Sequence, residues 1–195
     1  MNSTTLLQRQ FQMLNDAFHD IADDLTDIEW LRRAVPDTNL FGFILWHLPR
    51  TQDAIIHILI RGEASVVGAE PWMSRGGLAT PGIGFGSTLA ETDQLACSLQ
   101  KTAVLEYADA VHQSILSWLS TLSADDLDLV PNLLAHAEQA GAPDLYPALR
   151  STALDLEGRP VWGLLAGTCL SHLRAHLAEL DLLKRILRGQ VRSSE

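Results

Sequence analysis

The chain has 195 residues, of which 47% are hydrophobic and 19% charged, with a formal net charge of -10 at pH 7. This length suits one domain with a sizeable core, so we expect a single domain over residues 1–195. The acidic balance argues against nucleic acid or an anionic membrane as a partner, because both bind basic surfaces, and it is compatible with binding a cation. The high apolar fraction predicts that some surface is buried in a homodimer.

Two cysteines, Cys97 and Cys169, do not form a disulfide framework. The N-terminal residues show no basic region followed by an apolar core, so no signal peptide is predicted. No apolar run approaches the ~18 residues of a membrane-spanning helix. We therefore expect a cytoplasmic protein with reduced thiols.

Four long helices are predicted in chain order. The first follows a capping box at Thr5–Gln8, and its apolar residues recur at three-four spacing to about residue 25. The second covers residues 40 to about 61 and ends at Gly62. Pro49 lies within this helix and is expected to kink or loosen it, because proline lacks the N–H that would bond to the preceding turn.

Residues 62–87 form a long, glycine-rich connection that includes the run from Pro81 to Gly86. A flexible crossover is the simplest interpretation, and the Gly-Lys-Ser/Thr ending of a phosphate-binding loop is missing. Because long loops in compact domains are often functional, we expect this one to wall a cleft beside the site. The capping box Thr88–Glu91 then opens a third helix, predicted to reach about residue 120.

Ser123 to Asp126 is expected to cap a short turn. Residues 127–158 are predicted to be irregular, with one amphipathic piece around 132–139. The fourth long helix begins at Pro160 and runs to about residue 187. The sequence therefore predicts an all-α, antiparallel four-helix bundle, in which the long second connection allows a crossover.

Ionisable residues interrupt the core-facing stripe of the fourth helix. Residues four apart share a helix face, so His172 and His176 point the same way, and Glu179 continues their line. Two imidazoles and a carboxylate in an apolar stripe are costly unless something pairs with them. A divalent metal ion is one such partner, because neutral imidazole is a good ligand for zinc and nickel.

His47 is the best candidate for a third ligand, because it lies in the middle of the core-facing stripe of the second helix. His57 is rotated from it by about 80° on ideal helix geometry. Cys169, three residues before His172, is a second candidate ligand. A hydrogen-bonded histidine network without a metal is the third alternative. The HExxH protease motif is excluded, because position 173 is leucine.

Polar residues near these histidines are candidates for catalysis. Glu179 is expected to orient an imidazole or to act as a fourth ligand, and otherwise to form a salt bridge with a residue such as Arg50. Arg50 could equally bind a substrate anion, and Thr51 lies next to it. Asp53 is on another helix face and is expected to form a surface or interhelix pair.

With these residues assembled, the chain resembles the DinB-like superfamily, which includes damage-inducible DinB proteins and thiol-dependent S-transferases. The resemblance rests on the stretch NLFGFILWHLPRTQD at 39–53 and on the late His172, His176 and Glu179. It covers the second and fourth helices well, whereas the middle loops carry no matching motif.

The resemblance implies a four-helix bundle, a homodimer, and a divalent metal, often zinc or nickel, held by His47, His172 and His176. For its thiol-transferase members it implies that the metal activates a low-molecular-weight thiol. The leading hypothesis is therefore a metal-dependent thiol S-transferase or hydrolase acting on a small molecule. The alternative is a non-catalytic, stress-related protein in which the metal or the histidine cluster is structural.

Overall fold

A computed structural model describes residues 3–75, 77–78, 82–140 and 146–190. Across these ranges the chain forms helices, turns and loops but no strand, which confirms the all-α prediction. Within the same ranges, no helix combines the length and apolar character needed to cross a membrane.

The four predicted long helical segments are all present, the third of them divided into two helices, and shorter helices join them. The second and fourth long helices each contain a π-helical segment, Asp53–Ile60 and Leu164–Leu170 respectively. Two single 3₁₀ turns, Val66–Gly68 and Trp72–Ser74, lie in the long connection. The α-helices are α1 Ser3–Asp24, α2 Asp27–Trp30, α3 Phe41–Gln52, α4 Leu89–Ser98, α5 Lys101–Thr121, α6 Ala124–Asp128, α7 Leu133–Gln139, α8 Tyr146–Leu156, α9 Val161–Gly163 and α10 Ser171–Leu187.

The bundle consists of α1, α3, α5 and α10. Both α1 and α3 pack against α5 and α10, so these four helices surround a common core. Large side chains that are fully buried fill it, including Phe11, Phe41, Trp46, Tyr107 and Ile115. Burying such side chains is the main favourable contribution to the folding free energy.

Hydrogen bonds between helices establish the direction of each one. His19 contacts Asp109 and Gln12 contacts His112, so residue numbers rise along α1 as they fall along α5. These two helices are antiparallel. Residue numbers rise together along α1 and α10, because Arg174 donates to Gln10 and Arg188 donates to Asp24. These two helices are therefore parallel.

The second long helix runs parallel to α5. Asp53 contacts Tyr107, and His57, one turn later, contacts Ser114, one and a half to two turns further along α5. The long connection therefore brings the chain back across the bundle before α5 begins, which confirms the predicted crossover. Neighbouring helices are antiparallel for two pairs (α1 with α5, α3 with α10) and parallel for the other two.

The predicted third long helix is wrong in one respect, because the chain breaks at Leu99 and Gln100. Both residues have extended backbones, with ψ angles of 136° and 122°. Leu99 is 7% exposed, so the break turns its side chain into the core. The capping box at Thr88 and Glu91 is confirmed at the start of α4.

Three other features of the helices differ from the predictions. Helix α1 includes Ser3, so Thr5 lies inside the helix and does not cap its start. Residues 127–158 contain α7, as predicted, and also α8, which the irregular assignment missed although Leu149, Ala153 and Leu156 recur at helical spacing. The second helix does leave α geometry, but four residues after Pro49, where the π-helical segment begins.

Candidate metal centre

The three predicted ligands lie together between the second and fourth long helices. His47 projects from α3 towards α10, where His172 and His176 stand one turn apart. One potential ligand atom from each residue lies within 4.8 Å of the other two. The Nε2 atoms of His47 and His172 are 3.1 Å apart. The predicted clustering of these three histidines is therefore confirmed.

The rings meet edge to face. Their centroids are 5.0 Å apart for His47 and His172, 5.3 Å for His47 and His176, and 4.6 Å for His172 and His176. The angles between ring planes are 69°, 83° and 78° in the same order. Steep angles at such short separations turn ring edges, which carry the nitrogens, into the cluster.

The protonation of His47 follows from its hydrogen bonds. Its Nδ1 contacts the backbone carbonyl of Ile83, and the Thr51 hydroxyl oxygen lies 3.3 Å from the same nitrogen. A carbonyl can only accept, so Nδ1 carries the proton in the neutral ring. The lone pair is then on Nε2, the atom that faces His172.

Glu179 performs the corresponding role for His176. Its carboxylate accepts a hydrogen bond from His176 Nδ1 at 2.7 Å, which leaves Nε2 of that ring with the lone pair. Carboxylates that orient metal-binding imidazoles make this contact. Because Glu179 is engaged in this way, the alternative salt bridge with Arg50 is not formed.

Burial keeps two of the three rings neutral. It is the main cause that lowers the pKa of His47 to about 4, and the positive charge that His176 can carry lowers it as well. Burial likewise lowers the pKa of His172 to about 4, with His47 and His176 as further causes. At neutral pH these imidazoles are therefore uncharged, with one nitrogen lone pair free, as metal ligands must be.

The donor set fits a divalent metal. Zinc–nitrogen bonds of 2.0–2.1 Å in tetrahedral geometry place two ligating nitrogens about 3.3 Å apart. The 3.1 Å between the Nε2 atoms of His47 and His172 is close to this value. In two of the rings Nδ1–H donates to a fixed acceptor, so in the neutral rings the Nε2 lone pairs are available to an ion.

The other proposed ligand, Cys169, does not join the cluster. Its thiol is buried, and burial raises its pKa to about 12, which keeps it protonated. The group that could hold a metal among the described residues consists of the three histidines alone. The prediction that Cys169 could face the ion is therefore wrong. The thiol packs as a small core residue.

The remaining described histidines have partners elsewhere. His57 contacts Ser114 at 2.7 Å, and His19 contacts Asp109. His112 contacts Gln12, and His136 donates to the backbone carbonyl of Leu59. None of these four belongs to the three-histidine cluster.

Arg50 and Asp53 form a buried polar network, of which the sequence analysis predicted only a pairing of Asp53. Asp53 is fully buried and accepts hydrogen bonds from the Tyr107 hydroxyl and from the backbone N–H groups of Val66 and Val67. Arg50, 1% exposed, places its guanidinium 3.9 Å from this carboxylate. The contact with Tyr107 on α5 is the interhelix pair that was predicted for Asp53. The alternative of a surface pair is wrong, because Asp53 is fully buried.

The contacts of Asp53 also determine its charge. Burial alone would raise its pKa, but the neighbouring His57 ring and the Val67 N–H outweigh burial, and the pKa lies below its ordinary value. His57 Nδ1 is 3.0 Å from the carboxylate. Asp53 and His57 are four residues apart in an otherwise apolar helix, and that spacing was the available sequence signal.

The long connection lies against α3 beside the cluster. The Trp46 indole N–H donates to the carbonyl of Leu78 at 3.2 Å, and His47 donates to Ile83. The loop therefore adjoins the site, and the cleft that it was expected to wall stays a prediction. Pro81, the first residue of its predicted glycine-rich run, lies outside the described residues.

Fold and site together define a class of protein: a helical bundle that places three histidines between its second and fourth long helices. The family model described as the DinB superfamily matches residues 10–180, and the chain belongs to that superfamily. The match confirms the resemblance seen in the sequence.

One solved structure, a conserved protein of a locus from Enterococcus faecalis, has a similar fold with a TM-score of 0.63. Its sequence is 16% identical, and the similarity covers 97% of this chain and 99% of that one. At this identity the likeness concerns the fold alone. No curated protein matches the chain significantly.

Proposed function

We propose that His47, His172 and His176 bind a divalent metal ion, zinc or nickel, and that the protein is a metal-dependent enzyme. The observation that carries this proposal is the approach of three imidazoles to within 4.8 Å, with two Nδ1 atoms fixed by acceptors outside the cluster. Burying polar imidazole nitrogens is costly unless they have partners, and one metal ion would serve one nitrogen of each ring.

A metal with three protein ligands keeps coordination positions open, where it lowers the pKa of a bound thiol or water. The side chains of His176 and Glu179 are 27% and 39% exposed, so a small solute can reach this face of the cluster. We propose as reactions the transfer of a low-molecular-weight thiol to an electrophile, or hydrolysis.

Each residue has a distinct role in this proposal. His47, His172 and His176 are the ligands, and Glu179 orients His176 through its hydrogen bond. Because 39% of its side chain is exposed beside His176, Glu179 is also our candidate proton acceptor for a bound thiol or water. Arg50 is buried against Asp53, so the role we propose for it is to support α3 behind His47.

Elemental analysis of the purified protein, before and after incubation with zinc or nickel, tests the metal site. We expect one ion per chain in the wild type and none in His176→Ala. The matched control is His136→Ala, because His136 lies outside the cluster and contacts Leu59. Full metal occupancy in His176→Ala would refute the ligand assignment.

A second measurement separates an enzyme from a structural metal protein. Metal-free and metal-loaded protein are compared on a panel of thiols with electrophiles, and on a panel of esters and amides. We expect activity that disappears with chelation and returns with metal. Equal behaviour of both forms, combined with a lower unfolding temperature after chelation, would identify the ion as a cross-link between α3 and α10.

A further inference from the structure

The segment 82–86 crosses α3 at the position of His47. Ile83 is buried at 5% exposure, and its carbonyl accepts the hydrogen bond from His47 Nδ1. Three glycines alternate along the segment, and all have positive φ angles: +87° at Gly82, +87° at Gly84 and +77° at Gly86. Side chains strain this left-handed conformation, so each glycine suits the path of the backbone.

Only one of these glycines is also required by close packing. A Cβ atom added to Gly84 would lie 2.6 Å from Phe43 Cζ and 3.3 Å from His47 Nδ1. Among the described residues, the corresponding atom at Gly82 would approach nothing closer than 3.9 Å, and at Gly86 it would meet nothing within 4 Å. The absent side chain at Gly84 therefore allows the segment to lie directly on Phe43 and His47.

Phe43 completes the surroundings of the ring. It lies one turn before His47 on α3, and the two rings stack with centroids 5.8 Å apart and planes 12° apart. A larger residue at position 84 would have to displace Phe43 or lift the segment, and lifting it withdraws the Ile83 carbonyl. The orientation of His47 thus depends on a loop residue distant in sequence from all three histidines.

We infer that the 82–86 segment positions the metal ligand His47: the Ile83 carbonyl holds its Nδ1 proton, and Gly84 makes that approach possible. The inference rests on the proposed metal site and adds a requirement on the loop. Groups that hydrogen-bond to ligating histidines fix their tautomer, and changing them typically weakens metal binding by about 10–100-fold. Gly84 and Ile83 are positioning residues, since neither contributes a side-chain ligand.

Matched glycine variants test the inference. Zinc affinity is measured by competition with a chromophoric chelator for the wild type, Gly84→Ala and Gly82→Ala. Both substitutions introduce a side chain at the same φ of +87°, so they share the backbone strain, whereas only Gly84→Ala contacts Phe43 and His47. We expect Gly84→Ala to bind zinc about 10–100-fold more weakly than Gly82→Ala.

The outcomes distinguish the inference from the proposed function. If the wild type binds no zinc, the metal site is wrong and the inference falls with it. If the wild type binds zinc and the two variants bind it equally, the metal site stands and the inference alone is overturned. The cobalt(II) absorption spectrum is a further readout, because we expect altered coordination bands in Gly84→Ala only.

A measurement on the wild type keeps the inference falsifiable even if Gly84→Ala does not fold. Long-range ¹H–¹⁵N correlation spectra of the metal-free protein report which nitrogen of His47 carries the proton. We expect the proton on Nδ1, held by the Ile83 carbonyl. A proton on Nε2 would show that the loop does not fix this ring, and would overturn the inference.

Discussion

The Nε2 atoms of His47 and His172 lie 3.1 Å apart, although 125 positions separate the two residues in the chain. They belong to α3 and α10, which run in opposite directions and are joined through two long connections and α5. The distance is close to the ~3.3 Å between two nitrogens on tetrahedral zinc, so these two nitrogens already have a spacing that suits a shared ion.

The first prediction is that zinc stabilises the wild-type protein. An ion that binds only the folded state adds a free energy of unfolding of about 2.7 kcal/mol at a free concentration of 100 times Kd. We therefore expect the thermal unfolding temperature to rise with zinc concentration and to fall after chelation. Differential scanning calorimetry measures both changes.

The matched variants for this prediction are His172→Ala and His112→Ala. His172 is a proposed ligand, whereas His112 lies outside the three-histidine cluster and contacts Gln12 on α1. Zinc should leave the unfolding temperature of His172→Ala unchanged and raise that of His112→Ala. An equal rise in both variants would place the metal elsewhere.

The second prediction concerns Glu179→Gln. The substitution keeps the shape of the side chain but removes the negative charge of the group that accepts the hydrogen bond from His176 Nδ1. Weakening this orienting contact should reduce zinc affinity by about 10-fold, at the low end of such effects because Glu179 is exposed. Isothermal titration calorimetry measures the change.

Asp181→Asn provides the control, because Asp181 lies on the same helix and pairs with Arg185 on the surface. It should leave zinc affinity as in the wild type. A loss of affinity equal to that of Glu179→Gln would mean that the net charge of α10, and not the contact with His176, determines affinity.

The bundle and the three histidines could be predicted because they depend on local periodicity. His172 and His176 share a helix face whatever the rest of the chain does, and His47 occupies the corresponding stripe of the second helix. The same reasoning located the capping box at Thr88. These features need only the spacing of residues along one helix.

Features that depend on contacts between elements could not be predicted in this way. Asp53 looked like a surface or interhelix residue, because nothing in its own helix shows that Val66 and Val67 turn their N–H groups towards it. The role of Ile83 is likewise invisible in sequence, since its backbone carbonyl makes the contact with His47. Residue identity carries no information about such a bond.

The third prediction addresses the buried network around Asp53. Asp53→Asn removes a charge that faces Arg50 and replaces one acceptor oxygen by a donor, which leaves Tyr107 or a backbone N–H unpaired. Removing one partner of a buried charged pair typically costs about 3–5 kcal/mol. We expect a loss of this order in the free energy of unfolding, measured by urea denaturation.

Metal content distinguishes this network from the site itself. Asp53 is not part of the three-histidine cluster, so folded Asp53→Asn should retain one ion per chain. Asp109→Asn is the stability control, because its carboxylate is 54% exposed and its contact with His19 lies at the surface. It should change the free energy of unfolding by less than about 1 kcal/mol.

The fourth prediction is that the metal-free protein loses stability as pH falls from about 6.5 to about 4. The folded-state pKa of both His47 and His172 is about 4, below the ordinary value of 6.5 that applies to the unfolded chain. Between these values the unfolded state binds more protons than the folded state, so acid favours unfolding. Above about pH 6.5 this contribution is fully present.

His172→Gln tests the assignment because it removes one of the two titrating rings of the cluster and separates the other from a neighbouring imidazole. Burial also lowers the pKa of His112, but this ring is present in both proteins and does not affect the comparison. The free energy of unfolding, measured by urea denaturation at several pH values between about 7 and 4.5, should decline less steeply in this variant. Asp53 does not interfere, because its pKa lies below the usual aspartate value and its contribution is lost only at lower pH. His136→Gln, outside the cluster, should keep the wild-type slope, and an unchanged slope in His172→Gln would contradict the prediction.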